Sequence, residues 1–134
     1  MPTTRPARVP AVEELLRLSA HGLADAAVAA TPAERYAAAH LAALRAAAAV
    51  LAARARPSSA RRRLSSVWVL LPAVAPHLRE WAAFFAAGAG KRAAAEAGLA
   101  VTSREADDLL RDAASFLALV ETTLGYTHQP ALTG

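Results

Sequence analysis

Four histidines and no cysteine bound the acid–base chemistry open to this chain of 134 residues. His21, His40, His77 and His128 show no tight ligand spacing, and without cysteine neither a disulfide nor a thiolate metal site can form. His40 is the most telling of the four. At 100° per residue it shares a face with Ala33, Tyr36, Ala37, Leu44, Ala47 and Leu51, while Glu34, Arg45 and Arg56 fall on the other side. A histidine in an apolar stripe can serve as a general acid or base only where a reacting group reaches it. Otherwise it is a core residue whose ring bonds to a backbone carbonyl or hydroxyl.

Two charged clusters are the other candidates. Arg54, Arg56, Arg61, Arg62 and Arg63 form the most basic run, and Arg suits bidentate phosphate contact. No aromatic residue is interleaved for base stacking, so the same run also reads as a solvated loop after a helix C-terminus. Glu105, Asp107, Asp108 and Asp112 are the acidic counterpart. Without a Glu-x-x-His pair or ligands from a second helix they read as a solvated face. There is no Gly-rich phosphate loop and no nucleophile elbow, so neither a metal ion nor a cofactor is expected.

The elements that position these groups are helices. Thr31 with Glu34 is a capping box, Pro32 suits the first helical position, and no Gly or Pro follows before Pro57. A first helix is expected over Pro10–Ala29, with Gly22 marking a close crossing and His21 facing solvent. The short link at Ala30–Thr31 makes these two helices an antiparallel hairpin. Pro72 and Pro76 split the next stretch into a helix over 66–74 and another starting near Pro76. That second piece carries His77, Leu78, Trp81, Ala82, Phe84 and Phe85 and is expected to anchor the core, with another turn or two over Lys91–Ala97. Thr102 with Glu105 caps a last helix over Ser103–Leu124, and Gly125 takes the C′ position. The fold class is all-α, a four- to five-helix antiparallel bundle over residues 10–125. Residues 1–9 are expected to be a disordered basic arm and 126–134 a flexible tail.

Composition limits the core and the partners. Thirty-nine alanines bury little area, so seven aromatics must supply bulk. Net charge is +4 and the sequence pI is about 10.6, a weak pointer to nucleic acid. Met1–Pro10 has no apolar run, and proline, glycine or arginine interrupts the longest apolar segments. A cytoplasmic location with no membrane span is therefore expected.

Three segments carry a family resemblance: R-Y-A-A-A-H-L-A-A-L-R-A-A-A-A-V-L from Arg35, V-W-V-L-L-P-A-V-A-P followed by E-W-A-A-F-F-A-A-G, and S-R-E-A-D-D-L-L-R-D-A from Ser103. In this order, spread over residues 11–124, they resemble an actinobacterial subfamily of HEPN domains (higher eukaryotes and prokaryotes nucleotide-binding). The resemblance implies a small helical bundle that forms a homodimer. Active HEPN proteins are metal-independent ribonucleases with an Arg, a polar residue and a His a few positions on. Arg35 and His40 are the pair at that spacing, but Tyr36 replaces the polar residue and the pair lies in an early helix rather than a late one. In the late helix Arg111–Asp112 begins like the motif, but Leu117, Ala118 and Leu119 stand where the His belongs. Five residues on a helix is also about 140° around its axis, which turns Arg35 away from the face of His40. The expected function is a non-catalytic RNA-binding or protein-interaction module in a toxin–antitoxin or stress setting. RNA or a small nucleotidyltransferase-type protein would be its partner. The alternatives are a divergent ribonuclease using Arg35 and His40, and a scaffold bundle with no nucleic-acid role.

Overall fold

The computed structural model describes residues 10–54 and 66–126. Six α-helices follow one another: α1 (Pro10–Ala27), α2 (Pro32–Arg54), α3 (Val67–Val74), α4 (Arg79–Ala87), α5 (Ala89–Glu96) and α6 (Ser103–Thr123). A single 3-10 turn, Pro76–Leu78, joins α3 to α4. Only Gly88 separates α4 from α5, and counting those two as one element gives the five-helix bundle. No strand occurs among the described residues.

α2 is the axis. It packs against α1, α3, α5 and α6, so much of its circumference is covered. Tyr36, Ala39, His40, Ala43, Ala46, Ala47 and Val50 are buried on one side, and Ala42 and Ala49 on another. Leu44 and Leu51, on the apolar face shared with His40, are half-buried. Alanine on nearly every face of α2 gives the helix little apolar contrast, and the small side chains let its neighbours approach closely. α2 is also long and apolar enough to cross a membrane, against the expectation from sequence. In the bundle that apolar character serves core packing.

Close approach is visible where α1 crosses α2. A β-carbon on Gly22 would stand 3.3 Å from Ala42 Cβ, as expected of a glycine at a crossing. Three residues earlier, buried Ser19 donates its hydroxyl to the Ala42 carbonyl at 2.7 Å. α1 ends two residues sooner than expected, at Ala27, and leaves Val28 81% exposed in the link to α2.

The core's bulk is aromatic. Trp68 stacks on Phe85 at 5.1 Å, Phe85 lies 5.1 Å from Phe116, and Trp81 lies 5.5 Å from Phe116. Phe84, expected to share this cluster, points outward because its neighbour Phe85 takes the inner face of α4. α6 buries Ala106, Leu109, Ala113, Phe116, Leu117 and Val120 along one stripe. Its end closes with Gly125 at φ +82° and the Tyr126 N–H bonded to the Glu121 carbonyl at 2.8 Å. Tyr126, expected to open the tail, packs half-buried against the core. The arm over 1–9 and the tail from 127 lie outside the described residues.

Candidate functional site

His40 is 1% exposed. Its ring stands edge-on to Trp68 and to Phe85. Nε2 lies 2.8 Å from the carbonyl oxygen of Phe85. A carbonyl can only accept, so Nε2 carries the proton and Nδ1 holds the lone pair. That carbonyl sits in the last turn of α4 and also accepts the Gly88 N–H at 3.1 Å, so both its lone pairs are used. His40 thus ties α2 to the α4–α5 junction. Burial pushes its pKa below 6.5; the Phe85 hydrogen bond opposes this, Arg92 lowers it further and Glu96 raises it. The ring is therefore neutral at pH 7. Nδ1, the atom that would act as a base, is buried without a hydrogen-bond partner.

Tyr36 lies one turn before His40, 7% exposed. Its hydroxyl faces Gly88, where a β-carbon would stand 3.0 Å from the phenol oxygen and 3.6 Å from His40 Cδ2. Glycine at 88 is what lets the α4–α5 junction come down onto these two rings. Burial raises the Tyr36 pKa, with Lys91 partly opposing.

Arg35 turns the other way. Its guanidinium pairs with Asp107 of α6 at 2.8 Å and reaches the Ala29 carbonyl at 3.4 Å. The structure therefore sends Arg35 and His40 to different neighbours: one to the mouth of the α1–α2 hairpin and α6, the other into the aromatic core. Asp107 belongs to a set of ion pairs along the start of α6. Arg111 pairs with Asp108 at 2.5 Å, Arg104 approaches Asp108 at 3.8 Å, and Lys91 pairs with Glu105. Glu105 also completes the capping box with Thr102. The Lys91 contact first, and the Thr102 backbone bond next, hold its carboxyl down at about 2.

The basic run divides at the boundary of the described residues. Arg56, Arg61, Arg62 and Arg63 lie outside them. Arg54 lies inside and bonds carbonyls: Val74 at the end of α3 and Thr123 at the end of α6, both at 3.3 Å. His77 joins the same corner through Thr123 Oγ1 at 3.0 Å. The Arg54 guanidinium here offsets the negative ends of α3 and α6 as well as that of its own helix.

Sequence reasoning missed Arg92, whose Nε is buried without a hydrogen-bond partner and whose charge acts on His40. Its position four residues after Gly88, on the same helical face, was the available signal. Among the described residues no group of three or more His, Asp or Glu could hold a metal ion.

No curated protein and no solved structure matches the chain. A family model does: that of the SAV_6107-like HEPN domains, over residues 26–121. That match spans well over half of the chain, from the end of α1 to the last turns of α6, and the protein belongs to the HEPN family.

Proposed function

We propose that this HEPN-family bundle is a non-catalytic, homodimeric interaction module, which holds a partner without cutting RNA. The carrying observation is the state of His40: sealed in the core, neutral, its one N–H given to the Phe85 carbonyl. A general base must come within hydrogen-bond reach of the proton it takes, and the candidate atom, Nδ1, is buried. Arg35, which would steady a phosphate, is held by Asp107. A small nucleotidyltransferase-type protein, paired with it in a toxin–antitoxin setting, fits that reading.

The test is incubation of the full chain with a mixed RNA pool in EDTA, beside His40→Ala. Intact RNA with both proteins, and a dimer by light scattering, is the expected result. Cleavage by the unaltered protein that His40→Ala abolishes would overturn it.

A further inference from the structure

A groove opens at the end of the bundle where α2 and α6 begin. It encloses about 440 Å³ between the first turn of α2 and the link from α5 to α6. Pro32, Ala33, Ala95, Leu99 and Val101 make its apolar wall. The sequence builds that wall through a glycine turn. Gly98, at φ +87°, ends α5, with its N–H bonded to the Ala95 carbonyl at 3.0 Å and the Leu99 N–H to the Ala94 carbonyl at 2.9 Å. The turn leaves Leu99 59% exposed on the rim.

The charged residues in the wall are Glu34 and Glu96, both carboxylates, with no cation among the lining residues. Arg92 approaches Glu96 from one turn back, at 3.8 Å. The positive end of the α2 dipole also faces this way, but Thr31 already accepts the Glu34 N–H, and Glu34 offsets the remaining field. Two carboxylates beside an apolar wall disfavour a phosphate chain and suit a cation next to an apolar side chain.

We propose that this groove docks a basic segment of a partner protein: an apolar anchor seats against Leu99, Val101 and Ala33, while flanking Arg or Lys groups meet Glu34 and Glu96. The inference rests on the interaction-module reading and names its surface. Exposed ion pairs contribute little alone, so the anchor supplies most of the affinity and the carboxylates supply selectivity.

The test is an NMR titration of the isotope-labelled full chain with three synthetic peptides of about ten residues each, an ordinary length for a docked segment. One carries Arg and Leu, one Glu and Leu, one Arg and Ser. The expected result is saturable shifts at Ala33, Leu99 and Val101 with the Arg/Leu peptide alone, weakening as salt rises. Glu34→Lys with Glu96→Lys should weaken that binding about tenfold. Leu99→Asp, at an exposed position, should abolish it with the melting temperature unchanged. Equal binding by the Arg/Ser or Glu/Leu peptide, shifts elsewhere on the bundle, indifference to Leu99→Asp, or no saturable binding would each overturn it. So would groove shifts that grow with protein concentration alone, since a second copy would then be the occupant. His40 does not line the groove. RNA cleavage and peptide binding therefore report separately on the function and on this surface.

Discussion

Gly88 is pressed so closely against Tyr36 that a β-carbon at 88 would stand 3.0 Å from the phenol oxygen. The backbone φ there is −85°, so no left-handed geometry requires the glycine. The requirement is space. Gly88→Ala gains helix propensity and loses packing, and the packing loss is the larger where a ring is wedged between helices. Gly88→Ala should cost about 1 kcal/mol in denaturant unfolding. Adding Tyr36→Phe, which removes the crowding oxygen, should recover most of it; strict additivity of the two changes would contradict the contact.

His40→Ala should be strongly destabilising, by about 2–4 kcal/mol, because it opens a cavity and leaves the Phe85 carbonyl with only the longer Gly88 N–H bond at 3.1 Å. A core role and an active-site role separate here. An active-site histidine can be replaced with loss of activity and little loss of stability.

The pH dependence of stability follows from the same ring. The unfolded chain takes a proton on His40 near 6.5, while the folded protein resists it. Between the two pKa values the unfolded state binds more protons, so stability rises with pH. The contribution is complete above the unfolded value and falls away as pH drops below about 6.5 toward the folded value. Denaturation midpoints measured from neutral pH down to about pH 5 should show this loss in the unaltered protein and not in His40→Leu. Glu105 adds a separate window. Its folded pKa of about 2 lies below the usual 4.5, so its contribution holds above 4.5 and is lost as pH falls toward 2.

Arg54 offers a cleaner division between structure and binding. It bonds the carbonyls of Val74 and Thr123. Arg54→Ala should lower stability by about 1 kcal/mol, with RNA affinity unchanged. A fall in RNA affinity at constant stability would instead make Arg54 a phosphate contact.

Thr102→Ala should cost about 1 kcal/mol through loss of the α6 cap, and the Glu105 carboxyl should then titrate higher, measured by NMR. The backbone N–H of residue 102 stays in the variant, so an unchanged Glu105 pKa would leave Lys91 and that N–H as the causes.

Local signals in the sequence located most of the helices. Thr31 and Thr102 cap α2 and α6 where their spacing to Glu34 and Glu105 puts them, and Gly125 closes α6 in the left-handed conformation. The paired prolines gave α3 within a residue. What stayed hidden depends on tertiary contact. In an alanine-rich α2, period alone does not show which faces a central helix buries: Leu44 and Leu51 share the apolar face of His40 yet are only half-buried, while Ala42 and Ala49 are buried on another side. The partner of Arg35 lies 72 residues away, and the partner of His40 is a backbone carbonyl 45 residues away. A carbonyl leaves no trace in side-chain chemistry. The groove was also invisible, since Leu99 reaches its rim only through the turn at Gly98.

The most direct measurement is an NMR titration of the His40 ring nitrogens in the intact protein. The expected result is a single tautomer with the proton on Nε2, slow to exchange, that takes up its proton only below pH 6.5. A ring that titrates at or above that value and exchanges freely with solvent would contradict the account, because it would place a proton-transfer group within reach of an RNA phosphate.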